Sequence, residues 1–498
     1  MTATVVGDPG SAEEAPKPQR PDRPVAVVVF YWTVLFAAVI VAFFPTGQRL
    51  VQEARDGAIT TYIFVLPFLA AVAAQGIARR RSGELPIHDR QTDIIVGGLA
   101  LLGSLAIKGL WLPRYVGQYE LAHLDVLAGL VFFLGGAILL FGLRPVGRFW
   151  SVWLLLLALS PLVYRMAAIT VGGSRFAYGA VLILLAGVAG AIAVGRTRRR
   201  AVFGFCWTVV VGFAMLALML AVSPGAHIAW LQLVPTVGAA ILVGSGFFLV
   251  ARHGKPMRPM DRRIAPVTAK NSLSSLVTVI VAAVLLLLIP IPSPKAVPST
   301  PGPPLAPVVA PRGWTQTDEL EFDWVKSFFG RTSTLSRHIM RADEGNPAWD
   351  VQSRPRTVVV DVLSTVNRAS LAVYPESTLY KLGNTRTSGA LDVDLGRGVT
   401  GQIYTSVSDA LLLTWTKLVF TWVRGETTQR ITVVSVDNHE EDAVFPQPEP
   451  SMASNVSSSI ATFLRGNTIA VDDDPEYKDL ELLSAFGTSL VRAQWGSS

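Results

Sequence analysis

Long apolar runs alternate with short polar segments over the first 292 residues of the chain. A helix needs about 20 predominantly apolar residues to cross a bilayer. Nine runs come near this length, at residues 25–44, 58–78, 94–112, 124–143, 149–169, 176–195, 201–222, 229–251 and 272–292. Arg165 and the turn sequence GGSR interrupt the fifth and sixth runs. The pattern predicts an all-α polytopic membrane domain of about nine transmembrane helices over residues 25–292.

The basic residues between these runs are distributed unevenly. If the amino terminus is cytoplasmic, the inner loops contain arginine clusters at residues 79–90, 144–148, 196–200 and 252–270. The outer loops then contain only scattered basic residues, namely Arg49, Arg55, Arg114 and Arg175. Cytoplasmic loops are enriched in lysine and arginine. The sequence therefore predicts a multi-pass cell-membrane protein, with its amino terminus in the cytoplasm and its carboxyl-terminal part outside.

Polar segments flank the apolar part. Residues 1–24 are rich in proline, alanine and charge, and this composition predicts a disordered cytoplasmic tail. After the last apolar run, proline recurs every few residues as far as Pro311. Such a composition favours an extended spacer, and we assign a Pro-rich linker to residues 293–312.

The chain becomes more charged, and its apolar runs shorter, from residue 313 onward. Four β-branched or alternating runs predict strands, at residues 356–366, 369–374, 411–423 and 429–437, and the last two form a hairpin. An amphipathic helix is predicted over residues 318–329, and Asp474 before Pro475 predicts the start of a terminal helix. These elements predict an α+β extracytoplasmic domain over residues 313–498.

Composition narrows the class of protein. The 498 residues are 51% hydrophobic and 16% charged, whereas soluble domains contain roughly 25% charged residues. The net charge of +7 comes largely from the loop clusters, so we predict the lipid bilayer and no nucleic acid as a partner. Cys206 is the only cysteine, which excludes a disulfide within one chain.

Ionisable residues at membrane depth are the main candidates for a functional site. They are Lys108, Arg165 and Asp125, with Glu120 and His123 at the membrane boundary. Two interpretations are open. Lys108 and Arg165 either extend toward the membrane surface, or Arg165 forms a buried ion pair with Asp125 or Glu120 that lines an outward-facing cavity.

No catalytic motif supports a known chemistry. The sequence contains no phosphate-binding loop, dinucleotide fingerprint, zinc-protease motif or serine-hydrolase motif. Cys206 and His227 are predicted at opposite membrane surfaces, about 30 Å apart, and therefore form no dyad. Acidic runs at residues 439–442 and 472–474 lack the spacing of a calcium loop. We predict no metal and no cofactor.

Three sequence stretches resemble the exosortase/archaeosortase family of multi-spanning transpeptidases and its associated extracytoplasmic domain. They are TTYIFVLPFLAAVAAQGIARRR, GLRPVGRFWSVWLLLLALSPL, and PRGWTQTDE followed later by LTWTKLVFTWVRG. The resemblance implies a catalytic cysteine, followed by an arginine and a histidine. Here Ser174 and Arg175 occupy the expected cysteine region, and His227 matches the histidine only loosely. The three residues are weak catalytic candidates in a divergent or inactive relative.

Three functions follow as hypotheses. The first is a non-catalytic, exosortase-like scaffold of the cell envelope, whose outer domain binds an exported protein or polysaccharide. The second is a transporter or permease for a lipid or small molecule. The third is a membrane transpeptidase with unrecognised catalytic residues. The proline-rich spacer and large terminal domain favour the first.

The arginine pattern makes a prediction about topology. A cysteine at Ser299, in a chain whose Cys206 is replaced by alanine, should react with a membrane-impermeant thiol reagent in intact cells. The reason is that an odd number of spans places everything after residue 290 outside. Labelling that requires cell lysis would contradict the predicted orientation.

Overall fold

The computed structural model describes most of the chain. The described residues are 24–55, 58–80, 90–116, 119–252, 272–292, 299–303, 308–380, 385–409, 411–440, 443–449, 471–472 and 475–496. The predicted cytoplasmic tail lies outside them except for Pro24, and so does Asp474, the predicted start of the terminal helix.

Helices form the amino-terminal half. They are α1 (Pro24–Ala42), α2 (Phe44–Arg55), α3 (Tyr62–Ala78), α4 (Arg90–Ala106), α5 (Tyr119–Ala122), α6 (Leu124–Phe141), α7 (Leu143–Gly147), α8 (Trp150–Leu156), α9 (Pro161–Thr170), α10 (Arg175–Val194), α11 (Arg198–Val222), α12 (Ile228–Arg252) and α13 (Ser272–Leu288). A π-helical turn (Ile107–Trp111) and a short last turn (Leu112–Arg114) extend α4.

The described helices confirm a helical membrane part, but not the predicted number of spans. Six are long and apolar enough to cross a bilayer, or up to eight if each bent pair is one span. The two bent pairs are α1 with α2, at 68°, and α8 with α9, at 78°. The last predicted span is represented by α13, which has only 17 residues.

Proline explains both bends. Pro45 is the second residue of α2, and Pro161 is the first residue of α9. Proline has no N–H to donate, and its ring clashes with the carbonyl four residues earlier. Each proline therefore ends the preceding helix and is tolerated in the first turn of a new one.

The helices pack in two groups. One group combines α3, α10, α11 and α12, and the other combines α1, α4, α6 and α13. Small residues permit close approach within the first group, because a Cβ atom at Gly76 would lie 2.2 Å from the Ala193 carbonyl oxygen. Small residues at such contacts are typical of helix pairs in membranes, where close backbone packing replaces the hydrophobic drive.

The carboxyl-terminal half is built around one sheet. Its strands are β1 (Ser299–Pro301), β2 (Trp314–Glu321), β3 (Thr334–Ala342), β4 (Thr357–Thr365), β5 (Thr385–Ser388), β6 (Leu391–Asp394), β7 (Thr400–Ser408), β8 (Leu413–Arg424), β9 (Thr427–Val436) and β10 (Val471–Asp472). The order is β10-β5-β7-β8-β9-β4-β3-β2, with β6 beside β7 and β1 beside β8. Three helices accompany it, α14 (Lys326–Phe329), α15 (Arg368–Val373) and α16 (Leu480–Gly496).

Each face of the sheet is covered by a different layer. On one face, α16 packs through Leu483, Phe486 and Leu490 on strand residues such as Leu418 and Phe420. The opposite face packs on α14 and α15, and beyond them on the helical half of the chain. Apolar side chains from α5 and α9 belong to that second cluster, namely Leu121, Leu162, Met166 and Ile169. We call this contact the junction between the helical bundle and the sheet domain.

Several predicted elements of the sheet domain are confirmed, and two are wrong. The strand at β4, the β8–β9 hairpin and the terminal helix are present. Residues 318–329, predicted as a helix, instead form the end of β2, a short 3₁₀ turn and α14. Residues 369–374, predicted as a strand, lie mostly in α15. Tertiary pairing with β3 and packing at the junction override these short local patterns.

The proline-rich segment is partly built into the sheet. Ser299–Pro301 pairs in parallel with the last part of β8. The earlier part of β8 pairs with β7, so the segment takes the place of β7 where that strand ends. Gly302 donates a backbone hydrogen bond to Val423 (2.7 Å), and Val308 is buried in the α16-side core. Over its described residues, the predicted linker is therefore a docked strap and not a free spacer.

The closest backbone contact at the junction is made by Gly173. This residue has a φ of +62°, and a Cβ atom there would lie 1.7 Å from the Ser327 carbonyl oxygen. Its neighbour Gly172 also has a positive φ, +98°, but no atom lies within 4 Å of the corresponding Cβ position. Substituting each glycine in turn therefore distinguishes two effects. Both substitutions strain the backbone, but only the one at Gly173 also meets the sheet domain.

We expect Gly173→Ala to loosen the junction. Both alanine variants incur about 1–2 kcal/mol for left-handed backbone, but only Gly173→Ala also collides with the Ser327 backbone. Hydrogen exchange of the α9 and α15 amides should therefore accelerate in Gly173→Ala and stay close to wild type in Gly172→Ala. Equal acceleration in the two variants would show that the Ser327 contact contributes nothing.

Candidate functional site

Lys108 is held inside the helical bundle by backbone carbonyls. It lies on the π-helical turn of α4, is fully buried, and donates to Leu286 (2.7 Å) and Ala42 (3.3 Å). These carbonyls belong to the last turns of α13 and α1, where the helix dipole favours a cation. Lys108 is therefore buried between three helices at the level of their last turns, and its depth in the membrane stays a prediction.

Charged and aromatic side chains gather where α2, α5, α6 and α9 meet near the junction. We call this set the junction cluster. Its members are Arg49, Glu53, Tyr119, Glu120, His123, Asp125 and Arg165. It contains four of the five ionisable residues singled out in the sequence, and only Lys108 lies elsewhere. Arg49 and Glu53 were missed, because α2 looks like an ordinary polar loop until the Pro45 bend folds it back. Tyr119, on α5, was missed because a single tyrosine beside an apolar run carries no signal of its own.

His123 is the centre of the carboxylate part of the cluster. Its Nε2 lies 3.2 Å from a Glu53 oxygen, and its Nδ1 lies 3.6 Å from an Asp125 oxygen. The Tyr119 hydroxyl donates to the other Asp125 oxygen at 2.6 Å. The side chains of His123 and Asp125 are fully buried. The arrangement joins α2, α5 and α6 through one imidazole.

The backbone of His123 separates α5 from α6. It adopts φ +41° and ψ +57°, a left-handed conformation in which histidine is enriched over most other residues. Its N–H donates to Tyr119 and its carbonyl accepts from Val126, at 2.8 and 3.0 Å. One residue thus ends one helix, begins the next and directs the imidazole inward.

The environment of His123 favours its charged form. Burial opposes the positive charge, but the nearby carboxylates of Asp125 and Glu53 outweigh it and raise the pKa of His123 above its ordinary value. The pKa of Glu120 is also raised, by burial first and by the nearby Glu53 carboxylate second, while Arg49 opposes this change. Arg49 lies 4.0 Å from a Glu120 oxygen and stacks over the Tyr119 ring at 4.2 Å.

Arg165 does not form the ion pair that the sequence suggested. Its Nη1 donates to the backbone carbonyl of Glu120 at 2.5 Å, and Asp125 is bound by His123 and Tyr119 instead. Within the described residues, no carboxylate lies in ion-pair contact with Arg165. The side chain is fully buried inside the protein, and its position relative to the membrane surface stays a prediction.

The weak catalytic candidates have local structural roles. The Ser174 hydroxyl accepts from the Ala177 N–H at 3.2 Å and caps α10, and the His227 Nδ1 accepts from the Ala229 N–H at 3.2 Å. Arg175 is exposed and donates to the Pro224 carbonyl at 3.3 Å. Among the described residues, no hydrogen bond joins Ser174 to His227, as a nucleophile and its base would require. Cys206 is exposed on α11.

The bundle-side face of the sheet carries buried charges that the sequence did not reveal. Arg337 binds Asp361 through Nε and Nη2, both at 2.7 Å, and Tyr380 donates to the same carboxylate at 2.7 Å. Lys417 forms an ion pair with Glu376. Arg337, Asp361 and Lys417 lie in β-branched strands and look like solvent-facing positions. Tertiary packing on this face of the sheet buries them.

Arg430 completes this charged face. Its Nη1 donates to the Tyr374 carbonyl at 2.8 Å, and burial lowers its pKa to about 10, with Glu376 and Tyr380 opposing the change. Tyr374 also lies next to Tyr178 of α10, so one tyrosine borders both halves of the chain.

No protein family matches the sequence, and no curated protein or solved structure is significantly similar to it. The resemblance to exosortases therefore stays a proposal.

The junction cluster predicts a pH dependence of stability. Because folding raises the pKa of His123, its contribution is present below the unfolded value of about 6.5 and disappears as pH rises through the folded value. His123→Gln should lower the melting temperature most at pH 6 or below. Each unit by which folding raises the pKa of His123 contributes about 1.4 kcal/mol of stability at low pH.

The charged and titratable groups facing His123 are Glu53, Asp125, Glu120, Tyr119 and Arg49. Among them Glu120 also has a raised pKa, so Glu120→Gln is the matched control. The stability change in this variant should depend on pH with the same sign as for His123, but at lower pH. Melting curves in detergent from pH 5 to 9 measure both variants. A wild-type minus His123→Gln difference that grows with pH would contradict the assignment.

Proposed function

We propose that the chain is a non-catalytic, exosortase-like scaffold of the cell envelope, anchored in the cell membrane, with its sheet domain outside the cytoplasm. In this proposal the sheet domain binds an exported protein or polysaccharide. The junction supports a fixed presentation of the sheet domain, because one apolar cluster contains residues of α5, α9, α14, α15 and the sheet.

The observation that carries the proposal is the open edge of the sheet at β2. Within the described residues this strand pairs only with β3, and seven of its eight residues are exposed. An extended polypeptide can add to such an edge by main-chain hydrogen bonds. The central strands are covered by α16 and by the bundle, whereas β2 is exposed along the outer edge.

The chemistry of the edge favours a basic exported polypeptide over a neutral glycan. Asp318, Glu319 and Glu321 lie on β2, and all three are exposed. Charged residues and a bulge also protect edge strands from aggregation, and β2 has a register shift between Gln316 and Asp318. The two roles of these charges can be distinguished. Charges of either sign protect an edge strand from aggregation, whereas recognition of a basic polypeptide requires negative charges.

A transporter or permease for a lipid or small molecule is the second candidate. Broken helices at membrane depth are typical of substrate sites in transporters. Here the second halves of both bent pairs, α2 and α9, contribute Arg49, Glu53 and Arg165 to the junction cluster. This convergence is the observation that favours the second candidate.

Charge reversal on β2 tests the scaffold. In a deletion strain, Asp318→Lys with Glu321→Lys should fail to restore surface glycan and exported envelope proteins, although the chain accumulates normally. The matched control reverses two exposed carboxylates away from the edge, Glu426→Lys with Glu476→Lys, and should complement the deletion. A photoreactive residue at Thr317 should cross-link an envelope protein in wild type and not in the edge variant.

Two outcomes would contradict the scaffold. Full complementation by the β2 variant would show that the charges on the β2 edge are not needed for function. Loss of labelled-solute uptake in the deletion strain, with an unaltered cell surface, would support the transporter instead.

A further inference from the structure

Arg165 has an unfilled hydrogen-bonding edge inside the protein. Its side chain is fully buried, and Nη1 donates to the Glu120 carbonyl. Nε and Nη2 are both buried and have no hydrogen-bond partner. These two nitrogens lie on one side of the planar guanidinium and point the same way, which is the geometry that holds two oxygens of one carboxylate or phosphate.

The same chain shows what that edge looks like when it is occupied. Arg337 uses the same two nitrogens, Nε and Nη2, to hold the two oxygens of Asp361 at 2.7 Å each. Its Nη1 is directed to another acceptor, Gln447. Arg165 reproduces this pattern with a single acceptor on Nη1 and nothing on the paired edge.

Electrostatics requires an anion near Arg165. An arginine keeps its charge at any physiological pH, and a buried charge without a partner is strongly destabilising. Glu120 lies within electrostatic range of Arg165, but its side chain contacts Arg49 and is partly exposed. Burial raises the pKa of Glu120, which weakens it as a counter-charge.

The surroundings suit a small polar group. Arg165 lies within electrostatic range of Tyr62, Tyr178 and Tyr374, which come from α3, α10 and the sheet domain. Tyr62 stacks on Tyr164 at 3.8 Å, and Gln232 donates to the Tyr164 hydroxyl at 3.1 Å. Aromatic walls with a few polar groups and one charged fork are typical of small-ligand sites.

We propose that Arg165 binds one oxyanion, a carboxylate or a phosphate group, at the junction between the bundle and the sheet domain. The group is held by Nε and Nη2, as Asp361 is held by Arg337. This site goes beyond the scaffold role and does not depend on it. The oxyanion can belong to a soluble compound or to an anionic lipid headgroup, since both present the same pair of oxygens.

The test uses the purified full-length chain in a neutral detergent. Thermal unfolding is measured while inorganic phosphate or acetate replaces chloride at constant ionic strength. A ligand that binds only the folded state raises the melting temperature in a saturable manner. In a second arm, in chloride, nanodiscs of phosphatidylcholine alone are compared with nanodiscs that also contain phosphatidylglycerol.

Three variants distinguish the contribution of the paired Nε and Nη2 donors from that of the positive charge. Arg165→Met removes both, and Arg165→Lys keeps a cation without the two-nitrogen edge. Arg175→Met is the matched control, because Arg175 is an exposed arginine at the start of the next helix. We expect saturable stabilisation in wild type and Arg175→Met, weakening by about tenfold or more in Arg165→Lys, and loss in Arg165→Met.

Each outcome decides the question. A response to phosphate or acetate that depends on Arg165 supports the site and indicates a soluble oxyanion. A response to phosphatidylglycerol alone, with the same dependence, supports the site and indicates a lipid headgroup. An unresponsive wild-type chain in both arms overturns the proposal even if the variants do not fold, and so does an equal response in wild type and Arg165→Lys. None of these outcomes affects the β2 edge.

Discussion

Charged groups that are removed from water need partners, and the arrangement of this protein follows from how each buried charge meets that requirement. Lys108 uses the last carbonyls of two helices, and Arg337 uses a carboxylate. His123 lies between two carboxylates. Each solution joins elements that are distant in sequence, so the charges define the packing of the helices and strands around them.

The junction concentrates these requirements in one place. Two proline bends turn α2 and α9 out of line with the helices before them, and this brings their polar residues beside α5 and α6. The sheet domain then covers the same end of the bundle with the apolar side chains of α14 and α15. Desolvation strengthens every ion pair beneath that cover and also raises the cost of any charge that stays unpaired. Arg165 and Arg430 both incur that cost, because Nε and Nη2 of each are buried without a hydrogen-bond partner among the described residues.

The need of buried charges for partners also distinguishes the two faces of the sheet. The α16 side is largely apolar, and the buried ion pair of Arg356 with Asp479 lies beside the start of α16. The bundle side carries Arg337, Asp361, Lys417 and Arg430 in otherwise β-branched strands. Arg337 and Asp361 pair with each other across β3 and β4, whereas Lys417 binds Glu376 and Arg430 donates to the Tyr374 carbonyl. Sliding the segment around α15 along the sheet would break both of the latter contacts. The strap at β1 restricts such sliding further by pairing with β8.

The sequence alone determined the features that depend on local composition. Long apolar runs specified a helical membrane part, and β-branched alternation specified β4 and the β8–β9 hairpin, because these patterns are repeated over enough residues to outweigh their surroundings. It also singled out Glu120, His123, Asp125 and Arg165, since charge is expensive wherever water is excluded.

Only the tertiary structure decided which groups pair. The bend at Pro45 brought Glu53 to His123, and the pairing of β3 with β4 brought Arg337 to Asp361. Neither contact leaves a signal in the spacing of residues, because each joins segments distant along the chain. The structures of the short segments at residues 318–329 and 369–374 were also decided by tertiary contacts. Their local patterns were weak, and the free energy of pairing with β3 or packing at the junction was larger.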